Sequence, residues 1–279
     1  MFANNLFSSD KMKLDINGLK DAVKLRYSAA VTGSQSDSAG DCCGDNSKKD
    51  KSSGGCCGIE GCCSAGVPGM SSDYKDVPGH FDEADYGLGC GIPVIAADLK
   101  PGEYVLDLGS GAGNDAFVAR SYVGESGRVT GVDFTPAMVL KARDNAKKLG
   151  YSNVDFIEGD IESIPLGDNY ADIVLSNCVL NLVPDKNQAF REIFRVLKPG
   201  GRFCISDVVS EDELPEEIRT SPDFIAGCVG GALTRAEYLS CIGKAGFAQV
   251  KVQSEKPLQT DEKLGIRIYS ITVTGKKLS

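Results

Sequence analysis

The chain has 279 residues, of which 42% are hydrophobic and 25% are charged. This is the composition of a water-soluble protein with one large domain, or with a core domain and a smaller partner. A net charge of -9 and a pI near 4.8 argue against nucleic acid or an anionic membrane as a partner. The start of the chain lacks the apolar run of a signal peptide, and no apolar run is long enough to span a bilayer. We therefore expect a cytoplasmic protein.

Residues 1–75 are expected to form an N-terminal appendage. Apolar residues at helical spacing predict an amphipathic helix over residues 16–30. Residues 32–72 are rich in Ser, Gly, Asp and Lys and have no periodic apolar face, which is typical of a mobile linker. This linker contains three Cys-Cys pairs between Cys42 and Cys63, out of eleven cysteines in the chain. Because cytoplasmic thiols normally stay reduced, the pairs indicate metal binding or redox chemistry rather than a disulfide scaffold.

Strand-like and helical stretches alternate from about residue 90 to residue 209. The predicted strands cover residues 103–109, 128–134, 154–160, 171–177 and 201–209, and the predicted helices cover residues 113–124, 135–150 and 185–201. Strands separated by helices form βαβ units, which give a mostly parallel sheet covered by helices on both faces. The pattern therefore predicts a Rossmann-like α/β domain over residues 76–209.

The pattern changes after this domain. Two helical segments, at residues 213–226 and 234–246, precede two strands at residues 248–258 and 269–277. We expect this C-terminal α+β region, residues 210–279, to add antiparallel strands to the sheet. We also expect it to cap the carboxyl edge of the sheet, where ligands bind in such folds.

The turn after the first predicted strand has the form of a nucleoside-binding loop. In "DLGSGAGND", residues 107–115, the glycines Gly109, Gly111 and Gly113 allow a ligand to approach the backbone closely, and a helix N-terminus follows. Asp133 ends the second strand, where a carboxylate can hold a ribose diol. These features predict a nucleoside cofactor.

Further residues distinguish between nucleoside cofactors. A dinucleotide-binding loop requires glycine at position 114, where this chain has Asn114. Asp107 suits a cationic amino-acid group better than a pyrophosphate, and Asp160 can accept a hydrogen bond from an adenine amino group. Together these features resemble the S-adenosylmethionine site of class I methyltransferases, over about residues 100–210. The alternative is an α/β domain that binds no nucleotide and whose glycine turn is structural.

This resemblance implies a set of cofactor-binding positions. They are Tyr86, Leu88, Gly89, Asp107, Gly109, Gly111, Gly113, Asp133, Phe134, Asp160, Ile161 and Asn177. Tyr86 and Leu88 would cover the cofactor, and Asn177 would orient its amino-acid end. The backbone amide of Ile161 would lie beside the adenine ring.

The five unpaired cysteines fall into two groups. Cys204, inside an apolar strand, and Cys241, on a helix, are expected to be core residues. Cys178 follows the fourth strand, at the carboxyl edge of the sheet. Cys90 and Cys228 are flanked by glycines in the segments before the first strand and after the fifth, the natural lids over that edge. The sequence therefore allows three thiols to converge from three separate segments.

With these thiols, the chain resembles the arsenite S-adenosylmethionine methyltransferases. The resemblance spans about residues 84–235 and rests on "YGLGCG", "DLGSGAGND", "GVDFTPAMV", "SNCVLNLVPDK", "LKPGG" and "DFIAGCVGGAL". It implies that Cys90, Cys178 and Cys228 hold trivalent arsenic, a soft atom that thiolates suit better than carboxylates. It also implies that an N-terminal cysteine, Cys62 or Cys63, takes part in redox turnover.

The implied reaction transfers methyl groups from S-adenosylmethionine to arsenite or methylarsenite. Arsenic bound to sulfur keeps a lone pair that can attack the methyl carbon, so this step needs no general base. The only histidine, His80, is accordingly expected to have a surface or structural role. Methylation makes arsenic formally pentavalent, and a dithiol can reduce it while forming a disulfide that thioredoxin or glutathione resets. The oligomeric state is left open, and a monomer is compatible with the sequence.

Two other functions stand as alternatives. A methyltransferase of a quinone-ring or sterol carbon would share the cofactor half and "LKPGG", but it would not need three thiols near the lids. A soft-metal store or sensor would use the Cys-Cys pairs to bind zinc or copper(I). Three such pairs without histidine do not match a C-x2-C zinc spacing.

Overall fold

A computed structural model of the chain describes residues 16–32, 74–221, 224–225, 227–258 and 265–279. The helices are α1 (Ile16–Thr32), α2 (Pro93–Ala96), α3 (Asn114–Val123), α4 (Pro136–Lys148), α5 (Lys186–Val196), α6 (Glu216–Arg219) and α7 (Arg235–Lys244). The strands are β1 (Tyr104–Leu108), β2 (Arg128–Asp133), β3 (Val154–Glu158), β4 (Ala171–Asn177), β5 (Leu197–Ser210), β6 (Ala248–Pro257) and β7 (Ile268–Lys276). Within these ranges, no helix has the length and apolar character needed to cross a membrane.

The strands of the described residues form one sheet in the order β3-β2-β1-β4-β5-β7-β6. β1 to β5 pair in parallel with their neighbours, whereas β7 runs antiparallel between β5 and β6. The mostly parallel Rossmann-like sheet predicted from the sequence is confirmed, and so are the antiparallel strands of the C-terminal region. The order reverses between β1 and β4, which opens a crevice at the carboxyl edge.

The helix predicted over residues 185–201 is shorter than expected. It ends at Val196, and β5 begins directly at Leu197. Pro199 lacks the backbone N–H that a helix interior requires. Leu197 instead pairs with Ala171 of β4, so the "LKPGG" stretch begins a strand rather than ending a helix.

The helix predicted over residues 213–226 is also wrong in extent. Within residues 213–221 only the single turn of α6 is helical. Ser221 precedes a proline in the sequence, and a residue before proline is biased away from the helical region. The described residues between β5 and α7 therefore contain only short helical pieces, at 216–219 and 224–225, instead of one continuous helix.

The sheet separates two apolar clusters. On one face Phe190, Phe203 and Tyr238 pack between the sheet and the helices α5 and α7, and the rings of Phe190 and Tyr238 meet edge to face at 5.6 Å. On the other face Phe117 of α3 packs edge to face on Phe156 of β3 at 5.7 Å. These clusters keep the strands, and thus the residues that follow them, in a fixed register.

The two cysteines expected in the core are buried. Cys204 is fully buried, and its thiol donates to Pro93 O at 3.2 Å. Cys241 lies on α7 in the cluster of Phe190 and Tyr238. Both therefore act as small core residues, as the sequence predicted.

Replacing Phe203 with alanine should lower the free energy of unfolding by about 3–5 kcal/mol. The ring is fully buried and lies 4.7 Å from the ring of Phe247, so its removal leaves a cavity inside the cluster. Urea unfolding measures the change. Leu140→Ala is the control, because this side chain is 60% exposed and its loss should cost less than about 0.5 kcal/mol. Equal effects of the two substitutions would contradict this picture of the core.

Candidate active site

A pocket lies beyond the carboxyl ends of β1, β2, β3 and β4. It is lined by the residues that follow each strand, by α1 and by the segment before α2. The predicted cofactor-binding residues that line it are Tyr86, Leu88, Gly89, Asp107, Gly109, Gly111, Asp133, Phe134, Asp160, Ile161 and Asn177. Gly113 supports the pocket from behind: a Cβ there would lie 2.7 Å from the Phe117 ring and 2.8 Å from the Phe156 ring.

The glycine turn after β1 is held against the end of β2. Gly109 has a φ of 69°, and a Cβ there would lie 2.3 Å from Val179 Cγ2, so both backbone and space require glycine. The carboxylate of Asp133 accepts Gly111 N–H at 2.9 Å and Thr135 N–H at 2.8 Å. Asp133 thus sets the shape of the turn and also lines the pocket.

Two buried carboxyl groups lie on the β1 side of the pocket. Burial raises the pKa of Asp107, with added repulsion from Asp115, and burial raises the pKa of Asp115 to about 6. Within the described part of the chain Asp107 Oδ2 finds no hydrogen-bond donor, and Ser110 Oγ and Asn114 Oδ1 are also unpartnered. Buried polar atoms without partners are costly. This set therefore fits a ligand that brings a cationic amino group, as S-adenosylmethionine does.

The amide of Asn177 links this pocket to the segment of Cys90. Asn177 Oδ1 accepts Cys90 N–H at 3.1 Å and Gly91 N–H at 3.3 Å. Asn177 Nδ2 donates to Asp115 Oδ2 at 3.0 Å and to Tyr74 OH at 2.9 Å. Sequence reasoning selected Asn177 but missed Asp115 and Tyr74. The sequence offered one signal for Asp115, its acidic side chain two positions after the last glycine of the turn.

The structure brings three thiols together, which we call the thiol cluster: Cys90, Cys178 and Cys228. All three are at most 7% exposed. The thiol of Cys228 donates to Cys178 O at 3.0 Å. Hydrogen bonds with the other two thiols, together with burial, raise the pKa of Cys178, and burial raises the pKa of Cys90. Cys62 and Cys63 lie outside the described residues.

Both Cys178 and Cys228 have left-handed backbones, with φ of 59° and 63°. This conformation is uncommon for residues other than glycine and persists only where the surroundings enforce it. Asn181 provides part of that constraint, because its Nδ2 donates to Val208 O at 2.6 Å and to Cys228 O at 3.1 Å. Sequence reasoning missed Asn181, since an asparagine two residues before "VPDK" has no local pattern that marks it.

Asp207 of β5 lies beside the thiol cluster. One of its carboxylate oxygens is within 4.8 Å of both Cys90 Sγ and Cys178 Sγ. The Tyr238 hydroxyl donates to its Oδ2 at 3.1 Å. Burial raises the pKa of Asp207 to about 7, while a backbone N–H and the charge of Lys186 act in the opposite direction. Its charge within the apolar strand "CISDVV" was a signal that sequence reasoning did not use.

Helix α1 packs across the pocket, although the sequence suggested an appendage. Lys20 Nζ lies 2.6 Å from Asp160 Oδ2. Val23 is only 1% exposed, and the Tyr27 hydroxyl lies 3.8 Å from Cys228 Sγ. These three residues of α1 share one helical face. The periodicity predicted that face but not the surface that it covers.

His80 lies outside the thiol cluster. Its Nε2 is 3.0 Å from Asp85 Oδ2, and its ring stacks on Tyr74 with centroids 6.1 Å apart. These contacts agree with the structural role expected from the sequence.

The chain is related to known proteins in family, sequence and structure. Residues 99–256 match the family described as "Methyltransferase domain". The chain is 41% identical to the "Arsenite methyltransferase" of Halobacterium salinarum over 92% of this chain and 66% of that protein, and 42% identical to the human "Arsenite methyltransferase" over 64% and 52%. It thus spans less than two thirds of the length of these curated relatives. The X-ray structure of an arsenic(III) S-adenosylmethionine methyltransferase from Chlamydomonas reinhardtii matches with a TM-score of 0.61 at 37% identity, covering 77% of this chain and 74% of that one.

Replacing Asn181 with alanine should expose Cys228 to alkylation. The substitution removes a buried hydrogen bond to Cys228 O, a loss worth about 1–3 kcal/mol, so the Cys228 segment should open roughly tenfold more often. Mass spectrometry of the protein labelled with iodoacetamide measures the rate at each cysteine. Asn145→Ala is the matched control, because Asn145 is a buried asparagine that donates to Ala112 O. If the two variants label Cys228 at the same rate, Asn181 does not hold the segment.

Proposed function

The chain belongs to the methyltransferase-domain family and, within it, to the arsenite methyltransferases, and from this premise we propose that it methylates trivalent arsenic with S-adenosylmethionine as the methyl donor. The observation that carries the proposal is the thiol cluster, which lies at the edge of a pocket whose carboxyl groups fit a cationic nucleoside cofactor. An organic acceptor would not need three buried thiols at this position.

S-adenosylmethionine, when bound, supplies an electrophilic methyl group on a sulfonium. Asp107 and Asn177 would hold its amino-acid end, and the turn from Gly109 would lie against it. Asp133 would accept from the ribose hydroxyls, with Phe134 and Ile161 beside the adenine ring. Asp160 would accept from the adenine amino group, which requires Lys20 to share or release this carboxylate.

Cys178 and Cys228 form the persistent arsenic clamp in this proposal, and Cys90 completes it. Trivalent arsenic is soft and thiophilic, so sulfur ligands suit it better than oxygen ligands. Each thiol that binds loses a proton, and each hydroxide displaced from arsenite leaves as water. The clamp aims the arsenic lone pair towards the pocket, because catalysis by positioning requires the reacting atoms at roughly 3–3.5 Å.

Redox turnover is the second half of the proposal. Methylation makes arsenic formally pentavalent, and two thiols return it to the trivalent state by giving up two electrons and forming a disulfide. Cys90 with an N-terminal thiol, Cys62 or Cys63, is the proposed pair. Thioredoxin or glutathione would reduce the disulfide, which suits a cytoplasmic protein. Arsenite and methylarsenite would then both serve as substrates.

Cys178→Ser should abolish the methylation of arsenic. The reduced protein is incubated with arsenite, S-adenosylmethionine and the thioredoxin system, and the arsenic species are separated and identified by mass. Cys204→Ser is the matched control, because Cys204 is equally buried but belongs to a different apolar cluster, where its thiol donates to Pro93 O, and this variant should retain activity.

Binding of S-adenosylmethionine should be unchanged in both variants, as measured by calorimetry. Methylation by Cys178→Ser at the wild-type rate would exclude the clamp. Wild-type protein that binds S-adenosylmethionine but forms no methylated arsenic would exclude arsenic as the substrate. The search would then turn to quinone-like acceptors, because 40% of this chain is 39% identical to a "Ubiquinone/menaquinone biosynthesis C-methyltransferase UbiE" of Vibrio vulnificus.

Replacing the six paired cysteines with serine should separate methyl transfer from turnover. The substituted residues are Cys42, Cys43, Cys56, Cys57, Cys62 and Cys63. This variant should still bind S-adenosylmethionine and transfer one methyl group per molecule, because the thiol cluster is intact. It should then stall with thioredoxin as the reductant. Many turnovers in the same assay would remove the pairs from the redox cycle.

A further inference from the structure

We propose that Asp207 is the proton relay of arsenic capture, a role that rests on the proposed arsenite function. Its carboxylate takes the proton of an attacking thiol and returns it to the hydroxide that leaves arsenite. Asp207 thus acts directly on the thiols and on arsenite while the substrate binds. It is distinct from the groups that face the cofactor.

The thiol cluster needs a base before it can bind arsenic. The thiolate, not the thiol, is the form that attacks and ligates. Cys90 and Cys178 are buried, and the pKa of each is raised, so both hold their protons at neutral pH. The only histidine of the chain, His80, is paired with Asp85 away from the cluster.

Asp207 is placed to meet this need. One oxygen of its carboxylate and the sulfurs of Cys90 and Cys178 all lie within 4.8 Å of one another, so the carboxylate stands beside both thiols. The described residues contain no second cluster of this kind. Asp207 is therefore within relay distance of two of the three thiols.

The groups around the carboxylate hold it in place and adjust its basicity. The Tyr238 hydroxyl of α7 donates to Oδ2, and the charge of Lys186 on α5 faces the carboxylate from the other helix. The sulfurs of Cys90 and Cys178 face the carboxylate from the thiol cluster. The resulting pKa, about 7, suits a group that must both accept and release a proton near neutral pH.

The step balances in atoms and charge. The S–H bond breaks, the proton moves to Asp207, and the sulfur electron pair forms the S–As bond. The As–O bond breaks with its electron pair on oxygen, and the departing hydroxide takes the proton from Asp207 and leaves as water. Arsenic stays trivalent and Asp207 returns to its starting state, ready for the next thiol.

This route also keeps the number of buried negative charges constant. A thiolate formed beside an ionised Asp207 would place two like charges in a buried site, which is unfavourable. Transfer of the proton from sulfur to Asp207 exchanges one anion for another instead. The carboxyl group therefore lowers the cost of forming a thiolate in surroundings that otherwise favour the thiol.

The test is the rate at which reduced protein, free of S-adenosylmethionine, captures arsenite. Formation of arsenic–sulfur bonds is followed by ultraviolet absorbance in a stopped-flow instrument. Asp207→Asn should slow both capture and release about a hundredfold, while the dissociation constant changes less than about threefold, because a relay acts on both directions equally. Asp172→Asn is the matched control: it makes the same chemical change at a residue that pairs with Lys198 away from the pocket, and it should capture arsenite at the wild-type rate.

The arsenite complex of three glutathiones provides the second probe. Its leaving group is a thiolate, which departs without first taking a proton, whereas the attacking thiol must still give its proton to Asp207. The defect of Asp207→Asn should therefore shrink to about tenfold, the part that belongs to deprotonation of the thiol. A purely structural defect would slow capture from both probes equally and would raise the dissociation constant. Equal defects with the two probes, or wild-type rates in Asp207→Asn, would overturn the relay.

A measurement on wild-type protein covers the case in which Asp207→Asn does not fold. Capture of arsenite should slow in deuterium oxide more than capture from the glutathione complex does, and equal slowing would overturn the relay.

All of these experiments omit S-adenosylmethionine. A protein that captures arsenite through Asp207 but never methylates it would therefore disprove the proposed methyl transfer alone.

Discussion

The side-chain amide of Asn177 holds the two halves of the site together. Its oxygen accepts from the backbone of Cys90 and Gly91, and its nitrogen donates to Asp115. An amide can accept and donate at the same time, which neither a carboxylate nor an ammonium group can do. Because Asn177 directly precedes Cys178, one strand end positions both a group facing the cofactor pocket and a group of the thiol cluster. Methyl transfer depends on such relative positioning.

The two halves differ in the kind of ligand they suit. The pocket half has buried carboxyl groups and unpartnered polar atoms, which suit a cation with hydrogen-bond donors. The thiol half is apolar apart from Asp207: Val23, Val208 and Leu214 pack around the cysteines. Such surroundings disfavour charge but suit a neutral arsenic atom bound to sulfur. In the proposed function, cofactor and substrate would therefore be distinguished by polarity before any specific contact is made.

The geometry of the thiol cluster depends on backbone conformations that cysteine rarely adopts. Cys178 and Cys228 are both left-handed, and the Asn181 amide ties the Cys228 segment to β5. Gly231 must be glycine for lack of space, because a Cβ there would lie 1.9 Å from Asn181 O. Strained backbone held by its neighbours is common where a protein must present a reactive group.

The sequence by itself determined the strands and their mostly parallel direction, the glycine turn and the three segments that carry the thiols, because these are local patterns with a fixed period or spacing. It misjudged the ends of two helices, where Pro199 and the proline after Ser221 outweighed the apolar periodicity. Only the tertiary structure decided that α1 covers the pocket, that Asn181 supports Cys228 and that Asp207 lies beside Cys90. These contacts join residues far apart in the chain, and the order of the strands, which no local pattern encodes, brings them together.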